Sequence, residues 1–102
     1  MISRLERRFV VRPQAGGEID EAAEWYDSRR AGLGSEFLNA VDACLASVLR
    51  NPELHPEVRS GLRRAVLRRF PYNLIYALRP DEVVILGCVH GRRTPKIWQD
   101  RA

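Results

Sequence analysis

Apolar residues in the first half of the chain recur at the spacing of two amphipathic helices. From Glu18 onward they fall at i, i+3, i+4 and i+7 on one face: Ile19, Ala22, Ala23 and Tyr26. After Ser35, which suits an N-cap, a broader apolar stripe runs until Asn51-Pro52 ends it: Phe37, Leu38, Val41, Cys44, Leu45, Val48 and Leu49. The turn at residues 31–34 is too short to separate the two segments widely, so the pattern predicts a helical hairpin.

Strand-like patterns flank this hairpin. An apolar run at residues 8–12 is stopped by Pro13, which is typical of an edge strand, and Gly16-Gly17 separates it from the first helix. A polar loop follows at residues 52–61, where we expect His55 to face solvent. Alternating residues then predict strands at 62–70 and 72–78, and a run that is apolar on both faces predicts a buried strand at 83–89. The tight connection at residues 79–82 predicts that the last two strands form an antiparallel hairpin.

Together these elements predict an α+β fold in the order β-α-α-β-β-β. The two helices must bury their apolar faces, and the sheet is the surface that remains for them. We therefore expect a small twisted antiparallel sheet with the two-helix hairpin packed on one face and the other face open. On that open face we expect the Arg side chains of the strand at 62–70 to collect with residues 90–93. The length of 102 residues predicts a single domain over residues 1–102.

The composition is that of a globular protein, with 45% hydrophobic and 29% charged residues. No run approaches the ~18–20 apolar residues of a membrane span, and the N-terminus lacks the apolar stretch of a secretory signal. Cys44 and Cys88 lie inside apolar segments without metal-ligand spacing, which indicates buried thiols in a reducing compartment. We expect a cytoplasmic protein that binds no metal and no cofactor.

Charge is distributed unevenly along the chain. Residues 1–57 hold seven Arg and ten Asp or Glu, a balance of −3, whereas residues 58–102 hold nine Arg, one Lys and three acids, a balance of +7. Nearly all of the 17 cations are Arg, whose planar guanidinium favours bidentate contacts with carboxylate or phosphate. This asymmetry predicts an acidic or polyanionic partner for the second half.

The candidate functional residues belong to this basic half. The sequence has no Gly-rich phosphate loop, no HExxH helix, and no Ser or Cys nucleophile beside a His. What remains is a set of basic side chains: Arg64, Arg68, Arg69, His90, Arg92 and Arg93. Tyr72 and Tyr76 lie nearby, but they occupy one face of their strand and are more typical of core packing than of catalysis.

Two kinds of chemistry suit this basic set. A metal-free ribonuclease can use Arg to stabilise the charge that develops on phosphorus while His moves protons. Arg clusters with aromatic neighbours also bind phosphates or an acidic protein segment without catalysis. The residues alone do not separate these two interpretations.

Three segments resemble the RelE/ParE superfamily of toxins, which belong to type II toxin–antitoxin systems. They are residues 69–76 (RFPYNLIY), the apolar run 83–86, and residues 89–93 (VHGRR). The two-helix first half fits as well, so the resemblance covers nearly the whole chain. It implies a growth-arresting toxin that is neutralised by a cognate antitoxin protein, with which it forms a hetero-oligomer.

The superfamily to which the chain is similar holds two activities. RelE-like members cut messenger RNA on the ribosome; here Arg64 would replace a strand lysine, Arg92 would supply a late Arg, and His90 would replace a missing Tyr. The other positions of that catalytic cluster lack the required groups: Val66, Asn73 and Trp98. ParE-like members lack the cluster and poison DNA gyrase by binding. The resemblance therefore favours the ParE-like branch and a protein that is not an enzyme.

Under the ParE-like interpretation, the residues expected to bind target or antitoxin lie around the exit of the last strand: Arg68, Arg69, His90, Arg92 and Arg93. The expected target is DNA gyrase, with the ribosome and its messenger RNA as the alternative. A third interpretation is a non-toxic binding module derived from the same fold. All three imply an antitoxin whose C-terminal segment wraps around the sheet edge and the groove beside the helical hairpin.

Overall fold

The computed structural model describes residues 7–93, the last of them by its backbone alone. The elements are β1 (Arg8–Val11), α1 (Pro13–Arg29), α2 (Leu33–Arg50), β2 (Glu57–Arg59), β3 (Leu62–Val66), β4 (Tyr72–Leu78) and β5 (Glu82–His90). A 3₁₀ turn at Gly91–Arg93 follows β5 directly. The predicted α+β class and the order of its main elements are confirmed.

The strands form one five-stranded sheet in the order β1-β5-β4-β3-β2. Neighbours pair antiparallel except β1, which lies parallel to β5 with Phe9 opposite Val83 and Val11 opposite Ile85. The prediction of a wholly antiparallel sheet is therefore wrong at this edge. Only strands joined by a tight turn are forced to run antiparallel, and β1 reaches the sheet through the helical hairpin instead.

Helix α1 begins five residues before the predicted Glu18, at Pro13. Proline suits the first helical position because its fixed φ is already helical and its missing N–H has no intrahelical partner there. The Gly16 N–H donates to the Arg12 carbonyl at 3.1 Å, so the glycine pair lies inside the helix instead of ending the strand. The expectation that Gly16-Gly17 separates the two elements is therefore wrong.

The α1–α2 turn brings the two helices into backbone contact. Gly32 has a φ of 90°, which favours glycine, and the Asp27 carboxylate accepts the N–H groups of Gly32 (3.1 Å) and Gly34 (2.8 Å). A Cβ on Gly34 would stand 2.6 Å from the Ala23 carbonyl oxygen. Helix α2 consequently starts at Leu33, two residues before the predicted N-cap Ser35.

The main core fills the space between the helices and one face of the sheet. Strand alternation places Leu74, Tyr76, Val83 and Ile85 on this face, all at most 1% exposed. They pack with apolar side chains of the hairpin: Ala15, Ala22, Phe37, Val41, Cys44 and Val48. The predicted packing of the hairpin on one face of the sheet is confirmed.

The face opposite the helices carries a second apolar cluster. Its buried members are Leu62, Ala77, Val84 and Leu86, against which Val58 of β2 packs. We expected an open face on which the arginines of β3 and the residues after β5 collect, and this expectation is wrong. Arg63 and Arg64 point to opposite faces because side chains alternate along β3, and the basic residues after β3 and β5 lie beyond the strands.

Strand β5 contains a bulge, and a hydrogen bond next to this bulge connects the sheet to α1. Ile75 pairs with Gly87 and Tyr76 with Ile85, so Leu86 is the extra residue of β5. The Glu18 carboxylate accepts the N–H of Cys88 at 3.0 Å. This contact anchors the start of the helix to the central part of β5.

Candidate functional site

Five arginines converge at one end of the molecule, where α1 ends, α2 begins, β3 turns into β4, and β5 leaves the sheet. We call this surface the arginine end and define it by Arg29, Arg30, Arg68, Arg69 and Arg92, all of them exposed. The structure thus places three of the predicted site residues at this end and adds Arg29, the last residue of α1, and Arg30, which follows it. Arg93 follows Arg92 in the same 3₁₀ turn.

The turn between β3 and β4 projects Arg68 and Arg69. The Leu67 N–H donates to the Tyr72 carbonyl at 3.0 Å, and the Tyr72 N–H donates to the Phe70 carbonyl at 2.8 Å. Phe70 is only 7% exposed because its ring packs against Tyr26 and Phe37. The buried phenylalanine anchors the turn. Strand β3 therefore ends at Val66, whereas the alternation had predicted a strand that continues to residue 70.

Glu36 links two of the arginines. Its carboxylate lies 3.4 Å from Arg30 Nη2 and 2.9 Å from Arg69 Nη2. One negative charge therefore holds two guanidinium groups near each other, and both arginine side chains stay more than 60% exposed. Exposed pairs of this kind add little stability, so the main effect of Glu36 is to orient the two cations.

The exit of β5 is attached to the same turn. The Gly91 N–H donates to the Pro71 carbonyl at 2.9 Å, and the Arg92 N–H donates to His90 Nδ1 at 3.2 Å. His90 Nδ1 is the acceptor in this contact, which closes a short turn at the exit of β5. The backbone therefore attaches the segment with His90 and Arg92 to the turn that carries Arg68 and Arg69.

A row of aromatic rings underlies the arginine end. Ring centroids are 5.1 Å apart for Trp25 and Tyr26, 6.1 Å for Tyr26 and Tyr72, and 5.6 Å for Tyr72 and His90. Burial, together with the neighbouring Tyr72, raises the pKa of Tyr26. At the outer end of the row, the Arg29 guanidinium lies 4.6 Å from the centroid of the half-exposed Trp25 ring.

Arg64 lies away from this surface. It pairs with Ile75 in the β3–β4 ladder, whereas His90 pairs with Tyr72, and residues three apart along β4 point to opposite faces. Within the described part of the chain, the Arg64 Nε atom is buried and has no hydrogen-bond partner. The structure therefore does not bring the candidate nuclease residues Arg64 and His90 onto one face.

Asn73 and Val66 occupy neighbouring positions on the Arg64 face. Asn73 is 6% exposed and Val66 is 61% exposed, and neither supplies a charge. Trp98, the remaining candidate position of the catalytic cluster, lies outside the described residues. Tyr72 and Tyr76 point into the helix-side core, as predicted, and Tyr76 is fully buried.

His55 is half-buried, and the prediction that it faces solvent is wrong. Its Nε2 lies 3.1 Å from Ser47 Oγ, and the Arg63 guanidinium donates to the His55 carbonyl at 2.7 Å. The Tyr76 hydroxyl donates to the nearby Pro52 carbonyl at 2.5 Å. These contacts tie the loop after α2 to the sheet and give His55 a structural role.

A groove lies at the far end of the molecule, between β1 and the end of α2. It has a volume of about 530 Å³, and its apolar lining includes Phe9, Leu49, Leu54 and Val83. Leu49 and Leu54 are 48% and 75% exposed, and the three apolar residues of the neighbouring edge strand β1 are each more than a third exposed. Apolar side chains on an edge strand and in an adjoining groove form a surface that suits a protein partner.

Sequence reasoning missed Arg30, Glu36 and the Arg29–Trp25 pair. Arg30 and Glu36 flank the turn between the two predicted helices, so a charge pair across that turn was a usable signal. The link from Glu36 to Arg69 spans 33 residues, and local pattern carries no signal for it.

Residues 7–93 show neither a metal-binding cluster nor a membrane-spanning helix. No group of three or more His, Cys, Asp or Glu side chains in that range is placed to hold a metal ion. Neither described helix has the length and apolar character needed to cross a membrane.

Comparison with known proteins gives a match at the level of the fold. No protein-family model matches the sequence, and no curated protein matches it. A chain of the solved structure described as "Chromosomal ParDE TA system from P. aeruginosa" superposes with a TM-score of 0.64 at 17% sequence identity. The match covers 84% of this chain and 97% of that one. The chain therefore has a ParE/RelE-like fold, as the sequence resemblance implies.

Proposed function

We propose that this protein is the toxin of a type II toxin–antitoxin pair, and that it arrests growth by binding and poisoning DNA gyrase. The observation that carries the proposal is the shared fold with a chain of a ParDE toxin–antitoxin system, 97% of which is covered. The sequence resemblance at residues 69–76 and 89–93 supports the same assignment independently. In this proposal the protein acts in the cytoplasm and needs no cofactor.

Binding, and not RNA cleavage, is the mechanism that the site geometry favours. A ribonuclease of the RelE type needs charge-stabilising and proton-transferring groups around one phosphate, and each such group contributes about 10²–10⁴ in rate. Arg64 and His90 point to opposite faces of the sheet, and buried Asn73 brings no charge. The arginine end, by contrast, is an exposed surface suited to contact with a macromolecule.

In the proposed complex, the antitoxin docks at the groove beside β1. An extended segment can add to the edge of β1 that no strand within residues 7–93 occupies, and an amphipathic helix can cover Leu49 and Leu54. The groove lies at the start of β5 and the arginine end at its finish. The nine residues of that strand put them about 30 Å apart, at ~3.3 Å per residue. An antitoxin that also shields the arginine end must therefore wrap along the molecule.

Co-expression tests the toxin–antitoxin assignment. Induction of this chain alone is expected to arrest growth, and co-expression with a small acidic protein encoded beside it is expected to restore growth. Leu54→Glu puts a charge into the groove without touching the core, so it should leave arrest intact and weaken the rescue at least tenfold in antitoxin dose. Val66→Glu makes the same apolar-to-acidic change at an exposed residue elsewhere and is the matched control.

Each outcome has a definite meaning. If Leu54→Glu does not affect the rescue, the antitoxin binds a surface other than the groove. No growth arrest by a folded, expressed chain would contradict the toxin assignment and favour the non-toxic binding module.

A further inference from the structure

We propose that Glu36 is a positioning residue of the arginine end, and that it acts on the target only through Arg30 and Arg69. Its carboxylate holds the two guanidinium groups in one arrangement before the target binds. This inference rests on the proposed function, because it concerns the surface that we propose contacts gyrase. It assigns a role to a negatively charged residue of a surface that is otherwise basic.

Glu36 differs from one half of an ordinary surface ion pair. Glu36 Oε2 lies 3.4 Å from Arg30 Nη2, and Glu36 Oε1 lies 2.9 Å from Arg69 Nη2. Arg30 directly follows α1, Glu36 lies in the first turn of α2, and Arg69 belongs to the turn between β3 and β4. One carboxylate therefore connects three separate parts of the fold, and each of its oxygens pairs with a different arginine.

This pairing leaves most of the donors of both arginines available. A guanidinium group has five N–H bonds, and the contact with Glu36 involves one nitrogen of each group. The side chains of Arg30 and Arg69 are 63% and 70% exposed, so a partner can reach the remaining donors. These donors bind acidic groups of the target while Glu36 keeps its own contacts.

Holding the two arginines in place lowers the entropy that is lost when the target binds. Arginine has many rotamers, and ordering one such side chain at an interface weakens binding by about 2- to 10-fold. The backbone of Arg69 is itself restricted, because its φ is 70° and the following Phe70 is buried. A network of three charged groups orders its members better than an isolated exposed pair does.

A positioning role and a simple charge effect predict opposite results for Glu36→Gln. This change removes one negative charge from a basic surface, so a charge effect alone would strengthen binding to an acidic target. A positioning role predicts weaker binding, because both arginines lose the group that orders them. Glu36→Asp separates the two effects further, since it keeps the charge but is one methylene too short to contact both arginines.

A supercoiling assay with purified gyrase and the full-length chain tests the proposal through the concentration that gives half-maximal inhibition. We expect this concentration to rise about 3- to 10-fold for Glu36→Gln and nearly as much for Glu36→Asp. Glu21→Gln makes the same change at an exposed residue of α1 outside the arginine end, and it should leave the concentration unchanged. Circular dichroism of each variant verifies that it is folded.

A second comparison separates positioning from a general structural defect. In a chain that already carries Arg30→Gln and Arg69→Gln, adding Glu36→Gln should change the inhibitory concentration by less than about twofold, because Glu36 then has no arginine to hold. A structural defect would lower the potency by the same factor in both backgrounds.

The arrangement of the arginines can also be observed without gyrase. In NMR spectra of the free protein, the side-chain N–H signals of Arg30 and Arg69 should shift on Glu36→Gln. The same signals should stay in place on Glu21→Gln.

Four outcomes would overturn the inference and leave the proposed function standing. These are equal or higher potency of Glu36→Gln, unchanged potency of Glu36→Asp, equal losses in the two backgrounds, or arginine N–H signals that do not respond to Glu36→Gln. Absence of gyrase inhibition by the intact, folded chain would contradict the proposed function and this inference with it.

Discussion

Arg69 has an unusual backbone conformation and also belongs to the candidate site. Its φ of 70° is the left-handed value that non-glycine residues rarely adopt, and among residues 7–93 no other non-glycine residue has a positive φ. The position is held by buried Phe70 on one side and by the ion pair with Glu36 on the other. A strained residue at the tip of an exposed turn indicates that its side chain matters more than its backbone preference.

Two substitutions at Arg69 separate these contributions. Arg69→Gly and Arg69→Ala remove the same guanidinium, but only glycine relieves the backbone strain. We expect the glycine variant to be the more stable of the two by about 1 kcal/mol, measured by urea unfolding. Equal stabilities would contradict the left-handed conformation of the turn.

Tyr76 is expected to act through structure alone. Tyr76→Phe leaves the Pro52 carbonyl without its donor, which should cost about 1–2 kcal/mol of unfolding free energy. Tyr26→Phe is the control, because the Tyr26 hydroxyl has no hydrogen-bond partner among residues 7–93, and its loss should cost less. At a temperature where the Tyr76→Phe variant is folded, we expect it to arrest growth as the intact chain does. Loss of growth arrest under that condition would show that Tyr76 has a direct role in toxicity.

At the scale of elements, the contact between α1 and α2 depends on the missing side chain of Gly34. A methyl group there would meet the Ala23 carbonyl at 2.6 Å and Asp27 Oδ1 at 2.9 Å, so the helices would have to separate. Arg30 directly follows α1 and Glu36 lies in the first turn of α2, so this contact also affects the distance between Arg30 and Glu36.

Glycine-to-alanine substitutions test that contact. Gly34→Ala is expected to destabilise the protein by about 2 kcal/mol or more, through steric strain at the crossing. Gly17→Ala meets no atom within 4 Å and lies inside α1, so it should stabilise the protein by about 0.5–1 kcal/mol. Thermal denaturation followed by circular dichroism distinguishes the two, and a neutral Gly34→Ala would show that the helices are less closely packed.

The elements also show which parts of the fold the local sequence pattern can predict. Helical and strand periodicity predicted both helices and the strands β1, β3, β4 and β5, because burial on one face dictates that periodicity. It did not predict β2, whose three residues are too few for a pattern, or the early start of α1 at Pro13. The parallel pairing of β1 with β5 depends on contacts between residues more than 70 positions apart, and local sequence pattern cannot predict such contacts.

The sequence also predicted part of the candidate site. Arg68, Arg69, His90 and Arg92 were recognisable as a group because they flank strands that pair with each other. The prediction that Arg64 joins them was wrong because alternation along the paired strands puts it on the other face from His90. Glu36, which comes from α2, belongs to the site only through tertiary packing.

For the whole molecule, burial of three weak acids predicts loss of stability in alkali. Burial raises the pKa of Cys44 to about 11 and the pKa values of Cys88 and Tyr76 to about 12, from ordinary values of 9.0 for a thiol and 10.0 for a phenol. Above pH 9 the unfolded chain releases protons that the folded chain retains, so the free energy of unfolding falls as pH rises from about 9 to 11.

Urea unfolding at several pH values between 8 and 11 measures this fall. Each fully shifted group contributes a slope of up to about 1.4 kcal/mol per pH unit. The double variant Cys44→Ala with Cys88→Ala is expected to be less stable at pH 8, but its stability should fall less steeply above pH 9. An unchanged slope in that variant would mean that the thiols ionise freely in the folded protein.

The arginine end and the groove lie at opposite ends of β5, and we propose that the arginine end contacts the target and the groove contacts the antitoxin. A supercoiling assay with purified gyrase and relaxed plasmid tests the target assignment most directly. We predict that the intact chain inhibits supercoiling and accumulates cleaved plasmid, and that Arg68→Gln with Arg92→Gln reduces this effect at least tenfold while Arg12→Gln with Arg79→Gln does not. Full supercoiling in the presence of excess folded protein would contradict the account.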